Sequence, residues 1–191
     1  MSLNSALGTA TTGEVHVNGA TVNYTDISGP KGNTLNPIVL VHGTGGTTAI
    51  HFHFIAPMAS TRDRVIGVDL ADTNESELTL EGQAAQVEAV INKLLPGQKI
   101  TLLGYSLGAV VAELVAARNP QTVENLILLA GWMKTDEQQK LRNKIWHALA
   151  DGSVDLLAEY NMFCAYGSSY LSARTGQELE ALKKPVAPTA F

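Results

Sequence analysis

The chain has few charged residues and a single cysteine. Charged residues make up 16% of its 191 residues, and Cys164 is its one cysteine. Because a single cysteine cannot form an internal disulfide, nothing in the composition requires an oxidising compartment. The Lys and Arg residues form no cluster and the net charge is −5, which argues against a basic nucleic-acid-binding surface. We therefore expect no nucleic-acid partner.

Long hydrophobic segments are also missing. The first residues lack the positive charge and the apolar stretch of a signal peptide, and Glu113 interrupts the longest apolar helical run. These absences predict a cytoplasmic protein that has no membrane partner. Apolar residues, at 45% of the chain, are enough to bury the core of one domain of ordinary size.

What the sequence does contain is an alternation of strand-like and helix-like segments. Asn18-Gly19 separates two stretches of period-two alternation, which predicts a hairpin after a loose leader over residues 1–13. Buried strands are then predicted at 37–41, at 64–70, from 100 to about Gly104 and at 123–130. Helices are predicted at 48–59, at 80–95 and from about Gly108 to 118. This order predicts an α/β fold with a mostly parallel sheet and helices on both faces.

After Trp132 the strand pattern stops. Helices are predicted at 136–150, 154–166 and 177–184, without a strand among them. We interpret 134–184 as a helical cap that lies over the sheet, 1–133 as the N-terminal part of the core, and 185–191 as a truncated return toward the core. Aromatic residues of this cap fit either core packing or the lining of a substrate pocket.

The segment Gly104-Tyr-Ser-Leu-Gly108 follows an apolar strand and precedes a helix. G-x-S-x-G in that setting is the pattern of a nucleophile elbow, in which the serine stands on a turn too tight for neighbouring side chains. Ser106 is therefore the candidate nucleophile, and Gly104 and Gly108 make its turn possible. Free N–H groups at the start of the helix favour an oxyanion there. The alternative is a glycine-rich turn with an incidental serine.

A second glycine-rich turn, His42-Gly43-Thr44-Gly45-Gly46, follows the strand at 37–41. Such a turn could cradle a phosphate or form an oxyanion hole. The phosphate-binding motifs require a lysine or a glycine spacing that this segment does not have. An oxyanion hole combines an amide of this loop with the amide that follows the nucleophile, which predicts Thr44 and Leu107 as the donors.

The elbow, the glycine-rich turn and the strand order together resemble the α/β-hydrolase superfamily, in the group that carries a helical cap after the strand following the nucleophile helix. The resemblance covers about residues 14–185. It implies a serine hydrolase that acts on an ester, thioester or related carbonyl of a small-molecule substrate through an acyl-enzyme at Ser106. It implies no cofactor and no metal, and it gives His42 and Gly43 a supporting part in the turn.

The C-terminal part departs from the family pattern. The resemblance implies a catalytic acid and then a histidine after the next two core strands, and the sequence ends at Phe191 before such strands. We therefore expect the full-length protein to continue and this chain alone to turn over little or no substrate. A sheet without those strands has an apolar edge, which predicts pairing through that edge, as in a homo-oligomer.

Other acidic and basic residues are weaker candidates. His147 is the only histidine after the elbow, but it falls in a predicted cap helix. His51 and His53 have a spacing that could begin a metal site, yet no further ligands stand at a recognisable spacing, which favours a position at the surface or a pocket mouth. Asp136 fits the start of a helix as well as the role of catalytic acid, and Asp69 fits a role in fixing a loop.

A second hypothesis comes from another functional class. Because neither a catalytic acid nor a base can be identified, the chain also fits a non-catalytic binding or scaffold protein on the same fold, or an inactive fragment of the hydrolase. Reaction with a fluorophosphonate separates the hypotheses, since only an activated serine reacts quickly. The substrate itself does not follow from the fold.

Overall fold

The computed structural model describes residues 9–30, 35–72 and 78–183. The chain divides into two units, Met1–Met133 and Lys134–Phe191. The first unit contains a six-stranded sheet, and the described part of the second contains helices.

Strands and helices alternate in the first unit after an initial hairpin. Its described elements are β1 (Ala10–Val17), β2 (Ala20–Ile27), β3 (Ile38–Val41), α1 (Thr48–His51), α2 (Ile55–Ser60), β4 (Val65–Asp69), α3 (Leu80–Leu94), β5 (Ile100–Tyr105), α4 (Leu107–Arg118) and β6 (Val123–Leu129). The strand order is β1-β2-β4-β3-β5-β6. Strands β4, β3, β5 and β6 are parallel, and β2 is antiparallel to both β1 and β4. The predicted α/β fold with a mostly parallel sheet is confirmed.

The hairpin turn has the backbone conformation that its sequence predicts. Asn18 and Gly19 both have positive φ, 49° and 76°, as a two-residue type I′ turn requires. The predicted loose leader is wrong for residues 10–13, because these residues pair with 24–27 as the first half of β1. Residues 1–8 of that leader lie outside the described part of the chain.

Helices pack on both faces of the sheet, because successive side chains of a strand point to opposite faces. Val39 and Val41 pack in one cluster with residues of α3 and α4. Leu40, between them, packs on the other face with Phe52 and Ala56. Helix α3 is amphipathic, as its sequence predicts. One stripe of its surface is buried, and this stripe includes Ala84, Val87, Val90 and Ile91.

The single helix predicted over 48–59 is two short helices. Phe52 ends α1 with φ −119° and ψ 21°, and α2 begins at Ile55. The segment between them, Phe52-His-Phe54, consists of residues with weak helix propensity, which explains the break. Pro57 lies near the start of α2, where its missing N–H removes no intrahelical hydrogen bond.

Strand β6 is the outermost strand of the sheet. Among the described residues no strand pairs with its outer edge, and the side chains of Leu126, Ile127, Leu128 and Leu129 are each 37–42% exposed. The apolar run there predicted a buried strand, and that prediction is wrong. Its composition is that of a central strand, but its position at the edge leaves it open to solvent, which makes it a site for strand pairing.

The second unit is helical in its described part. Its elements are α5 (Glu137–Gly152), α6 (Val154–Ala165), α7 (Ser168–Ser172) and α8 (Gly176–Leu182). The side chains of Asp136, Ser153 and Thr175 cap α5, α6 and α8, each by accepting a hydrogen bond from a backbone amide three residues later. Helix α7 is not predicted by the sequence pattern. The predicted helix end at 184 and the segment 185–191 lie outside the described residues.

Trp146 of α5 links this helix to α6 by donating its indole N–H to Asn161 Oδ1 at 3.2 Å. None of the helices in the described parts of the two units has the length and apolar character that crossing a bilayer requires. The proposed role of residues 134–184 as a cap stays a prediction.

Candidate active site

Ser106 lies at the junction of β5 and α4 in a strained conformation. Its φ of 55° and ψ of −119° are unusual for a residue with a side chain. The residue occupies the N-cap position of α4, yet its side chain makes no capping hydrogen bond. The turn is instead fixed by the Ser106 N–H, which donates to the Leu129 carbonyl at 2.8 Å. Ser106 is therefore a partly exposed residue whose hydroxyl does not cap the helix.

Gly104 and Gly108 are needed because backbone crowds them. A Cβ at Gly104 would lie 2.2 Å from the Gly108 carbonyl oxygen, and a Cβ at Gly108 would lie 2.2 Å from the Val41 carbonyl oxygen. Neither position accepts a side chain without displacing backbone. The second contact also shows that the end of β3 lies directly against the elbow.

The glycine-rich turn packs against Ser106. A Cβ at Gly43 would lie 2.9 Å from Ser106 Cβ and 3.0 Å from the Tyr105 carbonyl oxygen. Gly43 is buried, whereas the next residue, Thr44, is exposed. The structure thus brings together the two motifs, which are separated by about sixty residues of chain.

The backbone amides of Thr44 and Leu107 have no acceptor within the described protein residues. Leu107 is the first residue of α4, and the first amides of a helix have no intrahelical acceptor. Both amides can therefore donate to a bound group, and the positive end of the α4 dipole favours a negative one.

His42 is a buried part of the turn, with 5% of its surface exposed. The Leu70 N–H donates to its Nε2 at 2.9 Å, so the neutral ring carries its proton on Nδ1 and donates it to the Gly43 carbonyl at 2.8 Å. Nearby, the Thr48 N–H donates to Asp69 Oδ1 at 2.7 Å. The side chains of His42 and Asp69 thus fix loops at the ends of strands. Because both ring nitrogens of His42 are already hydrogen-bonded, neither can accept a proton from serine.

His51 and His53 have different surroundings although one residue separates them. The Gly43 N–H donates to His51 Nδ1 at 3.1 Å, and the His51 ring lies edge-on to Tyr105 with 5.0 Å between centroids. Burial lowers the pKa of His51, and the neighbouring His42 lowers it further. His53 is exposed and pairs its Nδ1 with the Ile50 carbonyl. Sequence reasoning missed the contact of His51 with the turn.

No described histidine or carboxylate hydrogen-bonds to the Ser106 hydroxyl. His147 lies in the second unit, where its ring packs edge-on to Trp146 with 5.3 Å between centroids. Among the described residues no group of three or more His, Cys, Asp or Glu side chains could hold a metal ion. A general base for Ser106 is thus not assigned within the described part of the first unit.

A serine at a strained strand–helix turn, packed against a glycine-rich turn on a mostly parallel sheet, defines the α/β-hydrolase class. The sequence agrees, because residues 36–189 match the family model for the alpha/beta hydrolase fold. The chain belongs to this family.

Two curated proteins show the sequence relationship. The chain is 28% identical over 169 residues to a pyrrolizixenacetamide deacetylase of Xenorhabdus hominickii, a match that covers 83% of this chain and 60% of that protein. It is 35% identical over 117 residues to a pimeloyl-[acyl-carrier protein] methyl ester esterase of Aeromonas hydrophila, which covers 56% of this chain and 44% of the esterase. The chain therefore spans about half of the length of these relatives.

Solved structures show the same fold. A hydrolase from Pseudomonas aeruginosa superimposes with a TM-score of 0.71 at 17% sequence identity, over 94% of this chain and 68% of that chain. At this identity the likeness establishes the fold alone.

Proposed function

We propose that this chain carries the nucleophile and the oxyanion hole of a serine hydrolase that cleaves an ester, thioester or related carbonyl compound. The observation that carries the proposal is the placement of Ser106, whose backbone is strained to φ 55° while its hydroxyl caps nothing. Strain of this kind is retained where function requires it.

In the proposed reaction, Ser106 Oγ forms a bond to the substrate carbonyl carbon as its proton passes to a general base. The carbonyl oxygen becomes an oxyanion and accepts hydrogen bonds from the Thr44 and Leu107 amides. Collapse of this intermediate expels the alcohol or thiol, which takes a proton, and leaves an acyl ester on Ser106. Water then attacks the acyl carbon and releases the acid.

The relatives also support this class of reaction. The names of the two relatives, a deacetylase and a methyl ester esterase, both describe the removal or cleavage of an acyl or ester group. A histidine and a carboxylate would transfer the protons in this reaction, and neither is assigned to Ser106 among the described residues.

A second candidate is a binding protein on the same fold, because no described side chain hydrogen-bonds to the Ser106 hydroxyl. Such a protein would use the Thr44 and Leu107 amides to hold a carbonyl or carboxylate ligand without cleaving it. Its serine would be an ordinary alcohol, which is a poor nucleophile at neutral pH.

Fluorophosphonate labelling of the full-length protein distinguishes these candidates. We expect a single phosphonyl adduct on the tryptic peptide that contains Ser106, formed within minutes and absent from Ser106→Ala. Ser153→Ala is the matched control, since Ser153 caps α6 and should label as the wild type does. Failure of the full-length wild type to label, under conditions in which a known serine hydrolase labels completely, would favour the binding protein.

A further inference from the structure

His51 contacts both the glycine-rich turn and the end of the elbow strand, β5. Its Nδ1 accepts the Gly43 N–H at 3.1 Å, and Gly43 directly precedes Thr44 in the turn. Its ring also lies edge-on to Tyr105, 5.0 Å away, and Tyr105 directly precedes Ser106. A single side chain thus joins the glycine-rich turn to the elbow.

The turn is shaped to receive this ring. A Cβ at Gly46 would lie 2.1–2.6 Å from three atoms of the His51 imidazole. The absence of a side chain at Gly46 therefore makes the space that the ring occupies. The glycine-rich turn packs around an imidazole, and a second hydrogen bond, from the Gly46 N–H to the Gly43 carbonyl at 3.3 Å, closes it.

The hydrogen bond fixes the protonation of the ring. Because Nδ1 accepts the Gly43 N–H, that nitrogen carries no proton, and the neutral ring has its proton on Nε2. Protonation of Nδ1 would replace the acceptor with a donor that faces another donor. The Gly43 amide, which belongs to a buried residue, would then lose its partner.

We propose that His51, in its neutral form, is a positioning residue that holds the Gly43 amide and thereby directs the Thr44 amide toward the oxyanion. This role rests on the proposed function, since it serves the reaction at Ser106. It also makes the turn sensitive to acid: the turn keeps its shape while His51 is neutral and loses its anchor once His51 is charged.

The surrounding groups favour the neutral form. From the turn, His42 lies 6.2 Å away between ring centroids, and from β5 the Tyr105 ring faces His51. From β4, Asp69 accepts the amide of Thr48 at the other end of α1; along the chain, His53 is exposed. Burial, and after it the electrostatic effect of His42, lower the pKa of His51 from its ordinary value of 6.5, so the hydrogen bond is intact at neutral pH.

Nuclear magnetic resonance on this chain tests the hydrogen bond without requiring catalysis. We expect the His51 ring to titrate below pH 6.5, and the Gly43 and Thr44 amide signals to inflect at that same pH. In His51→Asn, whose side-chain oxygen can replace Nδ1 as acceptor but does not titrate, that inflection should disappear. Gly43 and Thr44 signals that do not follow the His51 titration would overturn the proposal.

The rate of Ser106 labelling by a fluorophosphonate in the full-length protein tests the consequence. His51→Phe keeps a ring against Tyr105 but removes the acceptor, and we expect labelling to slow by about 10- to 100-fold at pH 7.5. The labelling rate of His51→Asn at pH 7.5 should stay within about threefold of the wild-type rate. As the pH falls through the His51 pKa, the labelling rate of this variant should fall less than that of wild type. His53→Asn, in the same segment, should match wild type at every pH.

The outcomes separate the two proposals. Equal labelling rates for wild type and His51→Phe would overturn the positioning role even if the titrations are coupled. A wild-type protein that shows the coupled titration but never labels would contradict the hydrolase proposal, while the His51 anchor of the turn would be upheld.

Discussion

Replacement of Ser106 by alanine is expected to abolish ester hydrolysis by the full-length protein without lowering its stability. The proposed mechanism passes through a bond from Ser106 Oγ, and loss of the nucleophile costs about 10⁶-fold where a complete triad is present. The Ser106 side chain makes no capping hydrogen bond, so its removal leaves no amide of α4 newly unpaired. Initial rates on a short p-nitrophenyl ester and the midpoint of urea unfolding measure the two effects.

Ser153→Ala is the matched control, with the opposite expected result. Ser153 occupies the same position in α6 as Ser106 does in α4, but its side chain accepts the Leu156 amide. Its loss should lower the free energy of unfolding by about 1 kcal/mol and leave hydrolysis unchanged. If Ser106→Ala hydrolysed the ester at the wild-type rate, Ser106 would not be the nucleophile.

Gly108→Ala is expected to cause a large loss of stability. The new Cβ would lie 2.2 Å from the Val41 carbonyl oxygen and 2.4 Å from that of His42. Because backbone atoms cannot rotate away as a flexible side chain can, β3 and α4 would have to separate. We expect the free energy of unfolding to fall by about 3 kcal/mol or more, together with the loss of Ser106 labelling.

Gly152→Ala tests whether this effect belongs to the elbow. Gly152 is the last residue of α5, and apart from its chain neighbours and the adjacent helix backbone no described atom lies within 4 Å of the position of its Cβ. Alanine there should leave stability unchanged or raise it by up to about 1 kcal/mol. Similar urea midpoints for Gly108→Ala and Gly152→Ala would contradict the close packing of the elbow against β3.

The features that followed from the sequence are those in which a short motif dictates local geometry. Asn18-Gly19 predicts the hairpin because both residues tolerate positive φ. The motif around Ser106 predicts the strand–turn–helix because only glycine fits at its two ends. The pairing of this motif with the turn at 42–46 follows from the placement of both after parallel strands.

The features that did not follow depend on tertiary position. The apolar composition of β6 indicates burial, yet exposure depends on whether a further strand covers its edge. His51 stands among weak helix formers with nothing in its own segment to mark it, and its role arises from the proximity of Gly43 and Tyr105. The signal in the sequence that could have indicated this contact is the run of glycines in the turn, because a position without a side chain leaves space for a neighbouring ring.

The measurement that tests the central claim most directly is a crystal structure of the full-length protein with a phosphonyl group attached to Ser106. In this adduct the phosphoryl oxygen takes the place of the oxyanion. Our account predicts that this oxygen accepts hydrogen bonds from both the Thr44 and Leu107 amides, at about 2.7–3.1 Å. A phosphoryl oxygen directed to solvent, or held by other donors, would contradict it.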